Sequence, residues 1–455
     1  MNKKENKISK EIKINKKLAR RNYSNQTGIT LIALVVTIVV LLILAGVSLN
    51  AIFSENGIIK RAQDAQNKMN NAQESDLNAL NDLDKWINNQ VNGTTGGNTT
   101  GGNDNPSTTP KISTLVGKVV DKNTKAEDAY GNKITIPKGF KILEHNPTSN
   151  TGAVTYNYTN LEETGEHIPA VQDGIVIEDT QTGTAGNQFV WVPVGTIKNK
   201  NGSTNTITLG RYEFDSSTGA LKSTTPAQVA SVENCTKIVT ISKGGTDYQE
   251  LSTFREGNSA TNSTAQNATA RNLEEFISTT LANGGYYIAR FEASGTASKI
   301  ASKYNQTVLG NITQPNAAKV AREMYGEVKE NNELVYASDL VNSYAWDTAI
   351  VFIQTYSGKT DYASHNESIT TKAFTATGKN NDKYCNIWDM SGNAYEWTTE
   401  YSTFSHNSNF YPCVTRGGCY DADLGSANDY TSNRNYDNTT YCNSYSSLRS
   451  LLYVK

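Results

Sequence analysis

The chain has 455 residues, a net charge of −2, and a composition rich in Gly (34) and Tyr (24), so it is long enough for more than one domain. Residues 1–28 hold nine Lys/Arg against two Glu, which leaves the remainder acidic, without the basic stripe that tracks a phosphate backbone, and excludes nucleic acid as a partner. Five Cys (Cys235, Cys385, Cys413, Cys419 and Cys442) without C-x-x-C spacing exclude a structural zinc site and allow one or two bridges at most.

In chain order the basic leader comes first. It is followed by ITLIALVVTIVVLLILAGVSL, residues 29–49, an uncharged run long enough to span a bilayer. The positive flank lies on its N-terminal side, so residues 1–28 are expected in the cytoplasm and the rest outside the cell. A cleaved signal peptide is the alternative, but the run is long, the leader is hydrophilic, and no A-x-A site closes it.

This N-terminus resembles that of type IV prepilins, in which a basic leader ends in Gly and the next residue becomes the new N-terminus. The resemblance places cleavage by a prepilin peptidase between Gly28 and Ile29, and implies other pilins as partners and incorporation in a pilus. The family usually carries Glu at the fifth mature position, where this chain has Ala33. That Glu is associated with N-methylation and assembly, so the departure bears on polymerisation rather than on cleavage.

From residue 53 to 91, Ile58, Ile59, Ala62, Ala65, Met69, Ala72, Leu77, Leu80, Leu83 and Ile87 recur at spacings of three to four, which predicts a helical stalk continuing residues 29–49. It stops at NGTTGGNTTGGNDNPSTTP, residues 92–110, a Gly- and Thr-rich solvated linker. A head follows, with an N-terminal extension over 111–184 and a main domain over 185–455. Short β-branched runs bounded by Gly, Asn and Pro (KITIPKGFKIL, GIVIED, NQFVWVPV, ELVYASDLV) read as strands. RNLEEFISTTLANGG reads as a capped helix, and SYAWDTAIVFIQTYSG as a helix with Tyr344, Ala345, Ala349, Phe352 and Ile353 on one face. The fold class is α+β with much irregular structure.

GGYYIARFEAS (284–294), CNIWDMSGNAYEWTTEY (385–401) and VTRGGCYD (414–421), together with NQFVWVPVG (187–195), resemble the formylglycine-generating enzyme, or sulfatase-modifying-factor, family. That resemblance implies an irregular C-type lectin-like fold. Trp388 and Trp397 read as core anchors, and Gly392, Gly417 and Gly418 as backbone positions that exclude a Cβ. Asp389 and Glu396, with the carbonyls of Gly392 and Ala394, are hard oxygen donors in one loop. The resemblance implies a structural calcium there, and turn capping by hydrogen bonds is the alternative.

The family's oxidase activity depends on a copper-binding cysteine pair. Counting along RGGCYDADLGSAND, those places fall on Ala422 and Ala427, whose methyls cannot ligate copper. Cys419 and Cys442 do not restore the spacing, and His145, His167, His365 and His406 form no metal-binding pattern. No copper is expected, and the chain reads as a non-enzyme. A degenerate oxidoreductase is the alternative.

Near the C-terminus, SANDYTSNRNYDNTTYCNSYSS (426–447) contains 19 Asn, Tyr, Ser, Thr or Asp residues out of 22 and no aliphatic residue larger than Ala. The stretch over 420–447 resembles the variable proteins of diversity-generating retroelements, in which adenine-directed mutagenesis of Asn codons yields Tyr, Ser, Asp, Thr and Cys. Tyr offers contact area at low rotamer cost, and Asn and Ser offer adaptable hydrogen bonds. The expected ligand-binding residues are Tyr420, Asp421, Asn428, Tyr430, Asn433, Asn435, Tyr436, Asn438, Tyr441, Asn443 and Tyr445. The ligand would be an external protein or glycan. A passive polar covering, or a structural minor pilin, gives the same composition. The closing SLRSLLYVK reads as an edge strand.

Overall fold

A computed structural model describes residues 109–143, 170–251, 272–331, 333–366, 373–407, 409–420 and 430–455. The chain divides after Asp104, and every described residue belongs to the C-terminal unit, Asn105–Lys455. The leader, Gly28, Ile29, Ala33, the apolar run and the stalk lie outside the described residues. Among the described residues no helix is long and apolar enough to cross a membrane.

The α+β mixture read from the sequence is what these residues form: few helices and many strands. The strands that frame the site are β1 (Phe140–Ile142), β2 (Val176–Asp179), β3 (Gln188–Pro193), β4 (Thr240–Lys243), β5 (Thr246–Glu250), β6 (Gly285–Ala289) and β7 (Glu327–Glu330). They continue with β8 (Glu333–Leu340), β9 (Tyr395–Ser402), β10 (Cys413–Arg416), β11 (Arg434–Asp437), β12 (Ser446–Leu448) and β13 (Ser450–Val454). Three helices of two turns or more accompany them: α1 (Leu273–Asn283), α2 (Gln314–Glu323) and α3 (Ser343–Tyr356).

The first sheet has seven strands in the order β7-β8-β13-β6-β3-β2-β1, all antiparallel. Strands β1 and β2, from the segment 111–184, complete it. In β3 the two-residue period decides burial on both faces. Phe189 and Trp191 enter one apolar cluster, and Val190 and Val192 enter the other. Strand β13 behaves the same way, with Leu451 and Tyr453 on one side and Leu452 and Val454 on the other. The expectation of an edge strand for SLRSLLYVK is therefore corrected: β13 lies between β8 and β6, because its apolar residues serve two cores at once.

The second sheet has six strands. Its path is β4-β5-β9-β10-β11, and β12 runs parallel to β9 beside the end of that strand which β5 leaves open. Strand β11, drawn from the polar C-terminal stretch, is its edge. Arg449 alone separates β12 of this sheet from β13 of the other.

Helix α1 matches the sequence reading: the Asn272 side chain accepts from the Glu275 N–H at its start, and Gly284, at φ 73°, ends it. Helix α3 is buried on every side from Ser343 to Ile353, not on one face, since it runs through the main core. Helix α2, with Pro315 in its first turn, carries no long apolar periodicity and was not foreseen.

Candidate ligand-binding surface

The segment 430–437 is held down by charge. Arg434, in the middle of SNRNYD, is buried with Arg211 and Arg416 around two carboxylates. Its Nη2 donates to Asp347 at 2.7 Å and its Nε to Glu400 at 2.9 Å. Arg416 donates to Asp347 at 2.5 Å and to Glu400 at 3.3 Å, and Arg211 donates to Glu400 at 2.6 Å. Burial pushes the Glu400 carboxyl up, but the guanidiniums of Arg434, Arg211 and Arg416 outweigh it and hold the group down at about 2. A buried network of this kind orders its members only when each is paired. This explains how a stretch without a core residue becomes strand: Thr431, Ser432, Asn433 and Arg434 are all buried.

The end of the segment is tied down by a further buried arginine. Arg449 donates through Nη2 and Nε to the two oxygens of Glu396, at 2.5 and 2.8 Å, and to the carbonyls of Ala289, Trp388 and Asp389. Glu292 lies in the same cluster, accepting from the Ala394 N–H at 2.9 Å and from the Asn393 amide. Burial, then the neighbouring Asp389 and Glu396 carboxyls, push the Glu292 carboxyl well above its usual range. Burial also pushes Glu396 up, to about 7, against the pull of Arg449.

This arrangement bears on the expected calcium site. Both oxygens of Glu396 face Arg449, while Asp389 accepts from the Gly378 N–H at 3.1 Å and from Asn380 at 3.0 Å. Among the described residues no group of three metal-ligating side chains converges. In the loop that carries Asp389, Gly392, Ala394 and Glu396, the cation facing Glu396 is the Arg449 guanidinium, and Asp389 is held by hydrogen bonds. Trp388 and Trp397 are buried as core anchors. Gly392 and Gly417 take positive φ (86° and 72°), whereas Gly418 does not.

The expected binding residues separate into three groups. Asp421 and Asn428 lie outside the described residues, as do Ala422 and Ala427. Tyr420, Tyr430 and Asn433 are buried, at 9, 7 and 3% exposure. Tyr420 meets Phe374 edge-on at 5.0 Å, and its hydroxyl lies 3.0 Å from that of Ser444. The Lys243 ammonium sits 4.9 Å from the centre of the Tyr430 ring and donates to the Asn433 side chain. The third group, Asn435, Tyr436, Asn438, Tyr441, Asn443 and Tyr445, is half-buried.

Within that third group the asparagines and tyrosines do different work. Asn435 accepts from the Tyr436 N–H at 3.0 Å, and Asn438 from the Thr440 N–H at 2.9 Å. Asn443 accepts from the Ser446 hydroxyl at 2.8 Å and donates to the Tyr441 hydroxyl at 2.6 Å. These side chains shape their own turns, as short amides do. The tyrosines supply the contact area. Tyr436 stacks on Phe404 with ring centres 4.0 Å apart, beside Tyr411 at 6.0 Å. Tyr441 and Tyr445 join hydroxyls at 2.8 Å, and Tyr445 meets Tyr395 edge-on at 6.0 Å. Phe404, Tyr411 and Tyr395 lie outside the polar stretch; Tyr395 falls within the motif CNIWDMSGNAYEWTTEY, while no sequence signal marks Phe404 and Tyr411.

The thiols and histidines stay apart from this surface chemistry. Cys419 is buried and Cys442 is exposed. His145 and His167 lie outside the described residues, His365 packs between Tyr362 and Tyr384, and His406 is exposed on a hairpin.

Fold and site together define an α+β unit, built on two large sheets, whose polar C-terminal segment is pinned by buried arginines and carries half-exposed aromatic rings. No protein-family model matches the chain, and no curated protein matches it. Among solved structures it is similar to CarF, at 13% identity over 38% of this chain and 87% of that one, with a TM-score of 0.27. It is also similar to the Major Tropism Determinant P3c variant (11% identity, 76% and 98% coverage, TM-score 0.26). A third is Treponema denticola variable protein 1 (11% identity, 59% and 96% coverage, TM-score 0.23). Overlaps this loose carry no inference about function.

Proposed function

We propose that Asn105–Lys455 is the head of a membrane-anchored recognition protein, and that it binds an external protein or glycan through the tyrosines of its C-terminal segment. The reading is non-catalytic. One observation carries it: a segment too polar to bury itself is fixed at Arg434 and beside Arg449, yet leaves Tyr436, Tyr441 and Tyr445 half exposed. Rigid aromatic rings among small polar residues are the composition of a paratope, where order before contact lowers the entropy lost on binding.

Residues 29–49 would serve as the membrane anchor, with the basic leader inside the cell and the head outside. The resemblances of the sequence support a pilin-like stem, processed after Gly28, under a lectin-like head whose C-terminal surface is diversified. A near-copy of the 3′ coding end, differing at adenines and lying beside a reverse transcriptase, would support the diversification.

Full-length protein displayed on cells, probed with glycan and extracellular-protein arrays, tests the reading. The expected result is selective capture that Tyr436→Ala together with Tyr445→Ala abolishes. Capture that survives both substitutions overturns the tyrosine surface as the binding site.

A further inference from the structure

The polar stretch also borders a cavity of about 230 Å³ between its first residues and the segments 213–222 and 241–243. Tyr430, Ser432 and Arg434 line one side, and Lys243 and Glu213 line another. Of the three nitrogens of the Arg434 guanidinium, Nε and Nη2 are taken by Glu400 and Asp347. Nη1 has no hydrogen-bond partner among the described residues, although Arg434 is only 6% exposed. Nη1 is open to the water of the cavity, and an anion entering there can accept from it.

The charge balance points the same way. Arg211, Arg416 and Arg434 are neutralised by the two carboxylates Asp347 and Glu400, so one positive charge is left over in that network. Glu250 is a third carboxyl near Glu400, and burial pushes it up to about 7, so it supplies little negative charge below neutrality. Lys243 and the exposed Lys222 add positive charge to the lining. Two carboxylates, Asp215 and Glu213, oppose it. Asp215 keeps its charge in its own turn, where one oxygen accepts from Ser217 and Thr218, so the two lining carboxylates offset Lys222 and Lys243 and leave the excess of the arginine network.

We propose that this cavity is an anion subsite that takes a carboxylate of the ligand, with Arg434 Nη1 and the Lys243 ammonium donating to it. The inference rests on the ligand-binding reading above and names the chemistry of one group of that ligand. A carboxylate accepts charge-assisted bonds from both donors, and its charge matches the excess in the network. Ser432 and Tyr430 bound a space large enough for a single acidic sugar or acidic amino acid.

Isothermal titration of the full-length protein at low ionic strength tests this, using glucuronate and N-acetylglutamate as the two sources of a carboxylate and methyl glucoside as the neutral control. At least one carboxylate is expected to saturate one site, and methyl glucoside is not. Arg434 is part of the folding network, so the informative variants are on the lining. Lys243→Gln should weaken the carboxylate about tenfold, roughly the loss of one charge-assisted bond, and Lys243→Arg should restore it. Glu213→Gln should tighten it. Failure of both carboxylates to bind, binding untouched by Lys243→Gln, or equal binding of methyl glucoside overturns the subsite. Tyr436→Ala with Tyr445→Ala should leave carboxylate titration unchanged, so loss of array capture and loss of titration report on separate claims.

Discussion

Arg449 and Glu396, 53 residues apart in the chain, form a two-bond pair with distances of 2.5 and 2.8 Å and no solvent exposure on either side chain. The pair fastens the DMSGNAYEW loop to the point where the chain leaves one sheet for the other. Removing one partner strands a buried charge. Arg449→Met is expected to lower stability by about 3–5 kcal/mol, whereas Arg449→Met with Glu396→Leu should cost clearly less. Denaturant titration of the four proteins of this cycle reads the coupling, and independent effects would refute the pairing.

Burial pushes the Glu250 carboxyl up to about 7, although it accepts bonds from Ser343 and Thr399. A carboxyl whose folded pKa is raised holds its proton better folded than unfolded. Its contribution is fully present below the unfolded value of about 4.5 and is lost as pH rises through about 7. Stability should therefore fall between these limits, by at most about 3 kcal/mol from this group. Glu250→Gln should flatten that slope, and a stability profile that keeps the same fall would count against the assignment.

Tyr436 and Phe404 stack at the edge of the second sheet, with Tyr411 beside them. Tyr436→Ala should cost about 1 kcal/mol of stability beyond the area it exposes, and a larger share of ligand capture. Tyr436→Phe should keep both. If Phe and Ala lose capture equally while folding is preserved, the hydroxyl matters and the ring face does not.

Gly417 holds a left-handed backbone at φ 72°, and a Cβ built there would lie 2.8 Å from the Met390 carbonyl oxygen. Gly417→Ala should destabilise by about 1–3 kcal/mol through backbone strain and that contact. Thermal melting of this variant beside Gly418→Ala, at a position without positive φ, separates strain from simple crowding.

The sequence alone determined the elements whose signals are local. Asn272 and Gly284 mark both ends of α1, the β-branched run in NQFVWVPV marks β3, and the aromatic anchors Trp388 and Trp397 are buried as read. It also marked the segment after residue 420 as unable to bury itself by apolar contact. Only the tertiary structure decided which of its residues face water. Arg434 meets Asp347 from 87 positions away, and Lys243 meets Asn433 from 190. Tyr420, Tyr430 and Asn433 therefore went inside while Tyr436, Tyr441 and Tyr445 stayed at the surface. The reason is physical. An apolar residue is driven inward wherever it stands, whereas a polar one goes inside only where a partner waits, and its neighbours in the chain do not name that partner.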